Sequence, residues 1–407
     1  MTSIKGRSAF SLWFAGETVS QLGTSVAMLG WTLLAYSVTH DVRTAALVGA
    51  LRTATQIVTV LPGGLISDRL DRRTLLLVDA GVEVLLYAVL AALIVTDVLS
   101  LGLLAALAVI QGACSGALGS VRHTVLPDLV EEDELGEAVA RMQTRDAVIT
   151  TIGPPLGGVL YGIAPVVPFV SNVVLSAMEW AFTSRLPRRL GTLGREKATE
   201  PLRTALFAGF GWLRRSRAAQ TILLLGLIGN CAVVSLAIGL NLHLQATGRG
   251  SWRVGVVDGV AGISLVLGGM LAQRVIGRWS ARALITAAML TMAVLVAVLA
   301  VAHSFAWMVG LTLLLFVPVP TVAVAGQPYL LGLIPDELRG RVLTAAGLAS
   351  LVFSAGAQAL AGLVLGSAGF AALAWGVAVL LLLAAAVGAF SAAVRAIPGP
   401  GAESAER

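Results

Sequence analysis

Seven ionisable side chains stand inside stretches that are otherwise apolar: Glu17, Arg52, Asp79, Glu83, Asp146, Glu179 and Asp258. In a hydrocarbon surrounding such groups are costly, and they persist where they pair, carry protons or touch a passing solute. Spacing joins them to neutral polar neighbours: Glu17, Gln21 and Thr24 share one helical face, and Arg52, Gln56, Thr59 and Gly63 share another. At ~1.5 Å per residue, Glu17 lies roughly 10 Å in from one side of its helix and Arg52 roughly 12 Å in from the opposite side, so a Glu17–Arg52 pair is expected. Gln21, Gln56, Asn230, Asn241 and Gln327 are neutral polar groups that orient a ligand without the cost of a buried charge. With Glu17, Arg52 and Asp258 as proton-coupling candidates, they form the expected transport site. The acidic run Glu131 to Glu134 has no second cluster to face it, so no metal site is expected. A G-x-x-x-x-G-K-S/T phosphate loop does not occur, so no nucleotide or other cofactor is expected.

The elements that hold these residues are membrane helices. The chain has 407 residues, 57% of them hydrophobic and only 12% charged, against about 25% charged in a soluble domain. Runs of roughly 18 to 25 apolar residues recur along the chain, each long enough to cross a ~30 Å hydrocarbon core. Backbone groups in lipid must satisfy one another, so such runs become helices. The expected spans are 10–37, 44–66, 74–96, 100–122, 138–162, 165–186, 218–246, 254–273, 281–302, 306–333, 342–366 and 369–394. The reading is an all-α polytopic protein of twelve helices in two six-helix bundles, 1–186 and 218–395. A linker, 187–217, joins them, and a short tail, 396–407, follows. Within the linker, Leu202 to Arg215 spaces Leu202, Leu206, Phe210 and Leu213 as a surface-lying amphipathic helix.

The net charge of +6 reflects topology rather than nucleic-acid binding. Arginines and lysines gather in the termini and in alternate loops, which puts both termini on the cytoplasmic side. The first apolar run is too long for a cleaved leader. Cys114 and Cys231 both fall in apolar runs, so no disulfide framework is expected. Usage of Arg over Lys fits a GC-rich bacterial source, and the expected location is a bacterial plasma membrane.

Two motifs recur. "GGLISDR" at 63–69 returns as "GGMLAQR" at 268–274, and "LPDLVEEDELGEAV" at 126–139 is answered by "IPDELRGRVL" at 334–343, with offsets of about 205 and 208. Duplicated six-helix units are the plan of alternating-access transporters. The first turn holds five charges, Asp68, Arg69, Asp71, Arg72 and Arg73.

The stretch from Gly64 through Asp68, Arg69, Arg72 and Arg73 resembles the loop signature between helices two and three of the major facilitator superfamily, and its "DRLDRR" form resembles the drug-efflux branch that includes siderophore exporters such as the enterobactin exporter. Gly153, Pro154, Gly157 and Gly158 are similar to that superfamily's antiporter signature, with Ile149 where the fuller pattern has Gly. The resemblance implies a twelve-helix fold and a latch at Gly64, Asp68, Arg69, Arg72 and Arg73. It also implies a helix-five bend that leans toward export.

The expected activity is proton-coupled export of a small amphiphilic molecule by a monomer whose other partners are membrane lipids. Siderophore export and solute:proton symport are alternatives. A membrane acyltransferase is a remote one, resting on the His123 to Asp128 spacing.

Overall fold

In a computed structural model the described residues are 3–119, 121–131, 134–186, 202–248, 251–275, 278–302, 304–335 and 338–391. Side chains of 3–8, 61, 65–69, 123–124, 127, 202–208, 251, 327–328 and 340 are outside the description. Helices dominate, and no β-strand occurs among the described residues. The first stretch holds α1 (Ser3–Thr39), α2 (Val42–Arg69), α3 (Arg72–Val95), α4 (Leu101–Leu118), two single turns α5 (Val121–Thr124) and α6 (Leu126–Leu129), α7 (Leu135–Ile163) and α8 (Val167–Ser184). After it come α9 (Leu202–Arg215), α10 (Arg217–Ala246), α11 (Ser251–Val275), α12 (Ala281–Ala300), α13 (Phe305–Leu315), α14 (Val319–Leu333) and α15 (Arg339–Phe390).

Eight stretches among the described residues are long and apolar enough to cross a membrane. α2, α7 and α8 are membrane helices beyond these eight; α7 and α8 are less apolar because they carry Arg145 and Asp146, and Asn172 and Glu179. α15 is one of the eight stretches but contains two spans. Gly369 breaks it with φ 82° and ψ 177°, a backbone that favours glycine. Adding α2, α7, α8 and the second part of α15 brings the total to the twelve expected. The expected helix 306–333 is interrupted instead of continuous. α13 ends before Phe316, and α14 starts at Val319 after Pro318, with Pro320 in its first turn. A proline lacks the N–H that would tie it to the preceding turn.

The chain divides into two compact units, Met1–Thr199 with Leu244–Gly259 and Glu200–His243 with Val260–Arg407. In the first, α1 packs on α7 and α8, α3 on α8, and α2 on α4. Trp13, Leu76, Val125 and Leu126 centre a core there. Glycine lets α2 and α4 come close: a Cβ at Gly112 would lie 2.2 Å from the Arg52 carbonyl oxygen, and one at Gly116 would lie 2.4 Å from that of Gln56. The polar stripe expected on α2 thus faces protein. α7 uses glycine in the same way. Added Cβ atoms at Gly153 and Gly157 would meet Ser25 at 2.1 Å and the Val26 carbonyl at 2.6 Å. Its Pro155 and Gly158 take up the small Gly255 and Gly259 of α11, a small-residue packing common among membrane helices.

In the second unit α12 packs on α14 and α15, and α9 on α15. The amphipathic linker helix forms over the expected residues, and its Leu213 enters the core with Ile222, Ile285, Met289 and Val342. The linker segment 187–201 lies outside the described residues.

The duplication seen in sequence reappears in contacts. Asp71 caps α3 by accepting from Thr74 N at 2.9 Å, and Ser280 caps α12 by accepting from Ala283 N at 3.3 Å. Two residues further on in each case, an arginine caps the last helix of the unit: Arg73 donates to the Ser184 carbonyl at the end of α8 at 2.6 Å, and Arg282 donates to the Ala389 carbonyl near the end of α15. Gly63 lies against the Ala117 carbonyl as Gly268 lies against that of Val317.

Candidate functional site

The buried ionisable groups of the first unit converge on one residue that the sequence did not single out. Arg122, in the single turn α5 that follows α4, is 8% exposed. Its Nε and Nη2 donate to Asp79 Oδ2 at 3.1 and 2.9 Å. Glu17 Oε1 lies 3.6 Å from Nη1, while Glu83 Oε1 and Glu179 Oε1 lie 3.6 and 4.0 Å from Nη2. Three helices, α1, α3 and α8, therefore bring four carboxyl groups to one guanidinium. Burial is nearly complete, with Glu17 at 3%, Asp79 at 4% and Glu179 at 2% exposure. Glu17 Oε2 and Glu179 Oε2 are buried without a hydrogen-bond partner among the described residues.

One cation balances one carboxylate. Uncompensated charge in a low-dielectric interior is expensive, so the single guanidinium is shared among all four carboxyl groups. Neutral polar groups extend it. Gln21 Nε2 donates to Glu17 Oε1 at 2.8 Å. Ser176 Oγ donates to Glu83 Oε2 at 3.0 Å and approaches Asn172 Oδ1 at 3.5 Å. Trp31 Nε1 donates to the Tyr87 hydroxyl at 3.3 Å.

The expected Glu17–Arg52 pair is not formed. The Arg52 guanidinium donates to Gln111 Oε1 at 3.1 Å, because α2 packs tightly on α4, whereas Glu17 faces α3 and α8 and meets Arg122. Asp79, Glu83 and Glu179 join the same cluster as Glu17. Asp146 stays apart from it, bonded to its neighbour Arg145 at 3.0 and 2.8 Å.

The charged turn is divided among separate tasks. Arg72 pairs with Asp128 in α6, within the repeated "LPD" segment. Arg73 and Asp71 cap α8 and α3 as described. The side chains of Asp68 and Arg69 lie outside the described residues, and Gly64 has open space where a Cβ would stand. Asp128, one end of the His123–Asp128 spacing, is engaged by Arg72, and the His123 side chain lies outside the described residues.

The remaining expected binding residues are spread out. Gln56 is half-buried on α2, and its carbonyl faces Gly116. Asn230 Nδ2 on α10 donates to Ser354 Oγ at 2.7 Å and to Ser350 Oγ at 3.3 Å. Asn241, further along α10, is buried, and nearby His243 stacks on Phe370 at 4.9 Å. Asp258 is half-buried on α11 beside Gly259. The Gln327 side chain lies outside the described residues.

A duplicated helical membrane fold with a buried charge cluster defines a polytopic transporter, not an enzyme. Residues 13–317 match the Major Facilitator Superfamily, and the chain belongs to it. Solved structures with the same fold include a bacterial homologue of the iron transporter ferroportin in its inward-facing state, 15% identical with TM-score 0.74, covering 93% of this chain and 97% of that one. The nucleoside transporter NupG (D323A mutant) is 11% identical with TM-score 0.72, covering 93% and 98%. A bacterial homologue of the human lysosomal transporter Spinster, inward-facing and unoccupied, is 13% identical with TM-score 0.70, covering 98% of each chain.

Proposed function

We propose that the chain is a proton-coupled exporter of small amphiphilic molecules, working by alternating access in a bacterial plasma membrane with both termini in the cytoplasm. The observation that carries the reading is the Arg122 cluster: four carboxyl groups around one guanidinium, with buried carboxyl oxygens on Glu17 and Glu179 left without donors. Such a pocket exchanges protons when a conformational change alters its access to water. Glu17 is the coupling residue, because its buried Oε2 is left without a donor among the described residues while Gln21 on the same face of α1 holds its Oε1. Arg52, held by Gln111, and Asp258 take lesser parts in the coupling.

Export is supported by the Gly153–Gly158 segment, which fixes α7 against α1 and α11, and by the efflux-type charged turn. The latch read at Gly64, Asp68, Arg69, Arg72 and Arg73 belongs to this proposal; Arg72 pairs with Asp128 of its own unit. The energetics are adequate: one proton crossing 100 mV supplies ~2.3 kcal/mol, against about 1.4 kcal/mol for a tenfold gradient of a neutral solute. The test is a panel of amphiphilic solutes in inverted vesicles, with and without an uncoupler. Uncoupler-sensitive solute entry into those vesicles, accompanied by proton release from the lumen and lost in Glu17→Gln, is the expected result. Accumulation only in intact cells that possess the protein, abolished by the uncoupler, would establish symport instead.

A further inference from the structure

The second unit contrasts with the first. Its membrane helices are almost free of ionisable side chains: residues 218–246, 283–300, 305–333 and 342–390 contain no Asp, Glu, Lys or Arg. Within them lies a cavity of about 170 Å³ bounded by α10, α12, α14 and α15. Ile222, Leu225, Ile285, Val322 and Leu330 form much of its wall, and among the described residues Ser350 is its one polar lining side chain. The cavity is partly open, so an apolar group can enter it. It is bordered by glycine on two sides. A Cβ at Gly226 would meet no atom within 4 Å, and one at Gly326 would reach Ile222 Cγ2 at 3.2 Å. A dry cavity of about 150 Å³ accepts benzene, so the space matches one aromatic ring or a short branched alkyl group.

A hydrogen-bonding rim sits one helical turn further along. Asn230 lies four residues beyond Gly226 on α10, and Ser354 lies four beyond Ser350 on α15. The Asn230 amide NH₂ is committed to the two serine hydroxyl oxygens at 2.7 and 3.3 Å. Its carbonyl oxygen makes no hydrogen bond among the described residues, which leaves it an acceptor. The serine hydroxyl protons remain available as donors. A ligand that places an apolar ring in the cavity and a hydroxyl or amide at the rim satisfies both.

We propose that this cavity is the subsite for the apolar end of the transported molecule, and that the substrate class is neutral: an aromatic or branched alkyl group carrying one hydrogen-bonding group. The proposal rests on the transporter reading above and adds the substrate's chemistry to it. Protons are handled in the first unit and the apolar body of the substrate in the second.

The test is photolabelling of the purified full chain in lipid nanodiscs with 4-azidobenzyl alcohol, benzyl alcohol serving as competitor and labelled peptides being mapped by mass spectrometry. Saturable label on the peptides that hold Ile222–Leu227 and Val322–Leu330, removed by excess benzyl alcohol, is the expected result. Gly226→Leu, which fills the cavity, should lower that label about tenfold or more. Gly226→Ala should retain it, and Asn230→Ala should weaken it. Label that stays the same in Gly226→Leu, or that fails to compete in the wild-type protein, overturns the pocket. The wild-type competition does not depend on any variant folding, and labelling needs no gradient. Proton release on solute addition without competable label refutes the pocket and leaves the exporter. Competable label without proton release supports the pocket and refutes the exporter.

Discussion

Replacing Arg122 by methionine keeps most of the side-chain volume and removes the charge on which Glu17, Asp79, Glu83 and Glu179 converge. Asp79 alone loses two charge-assisted bonds, at 3.1 and 2.9 Å. Such bonds are worth ~1.5–3 kcal/mol each, and removing one partner of a buried ion pair costs about 3–5 kcal/mol, so the two routes agree. At ~2–4 °C per kcal/mol for a domain of this size, the melting temperature of purified Arg122→Met should fall by roughly 10 °C. The loss arises from stranded carboxylates, and two further measurements follow from that. Adding Asp79→Asn removes one of them, so the double variant should recover part of the loss, with a coupling of about 0.5–3 kcal/mol. Lowering the pH should narrow the gap to wild type, because a neutral carboxyl group needs no cation. An Arg122→Met protein that melts within about 2 °C of wild type, or whose deficit is the same at every pH and additive with Asp79→Asn, would refute the reasoning.

Three smaller effects should accompany it. Loss of an N-cap costs ~1 kcal/mol, so Asp71→Ala should lower the melting temperature by a few degrees, and Ser280→Ala, whose bond is longer at 3.3 Å, by less; equal or absent effects would dismiss the cap assignment. Gly112→Ala forces a methyl to 2.2 Å from the Arg52 carbonyl and should destabilise by about 1–3 kcal/mol, read as a melting shift. Outside the membrane, hydrogen bonds from the Thr44 side chain and then its backbone hold the Asp41 carboxyl below the usual carboxylate range. A lowered folded-state value contributes stability above the unfolded range and loses it as pH falls through the folded value. For a partly exposed group that contribution is only a few tenths of a kcal/mol, and Asp41→Asn should remove this acid-side slope from a titration of melting temperature.

The helical scaffold was legible because membrane helices are specified by long apolar runs. The duplication was legible because the turns that join them repeat. Gly369 fell where the last two expected spans were separated, whereas the break at Phe316–Pro318 was passed over although Pro318 and Pro320 stand in it. The acids of the candidate site were equally plain as charges in apolar sequence. Their partner was not, because Arg122 sits at the very end of the fourth span and reads as a topology-setting charge. Charge balance held the missing signal: Glu17, Asp79, Glu83 and Glu179 had one recognised intramembrane cation, Arg52, on a different face of the bundle. Depth along the helix brought Glu17 and Arg52 together on paper. Helix packing decided otherwise, since Gly112 draws α2 onto α4 and delivers Arg52 to Gln111.

The two repeats have kept different things. Both retain the parts that terminate and join helices: an N-cap at Asp71 and Ser280, an arginine on the last helix at Arg73 and Arg282, and a glycine against a carbonyl at Gly63 and Gly268. These contacts serve the fold, so duplication preserves them in each copy. The buried charge cluster does not serve the fold in this way, and only the first unit carries it. The second copy of the turn reads "GGMLAQR", with Gln273 where the first has Asp68, and its helices contain no counterpart to the four acids of the first unit. The helices α10, α12, α14 and α15 can hold an open apolar cavity, because no stranded charge at its wall draws in water. The buried carboxyl cluster and the apolar cavity thus lie in different units, each with the surroundings its chemistry needs.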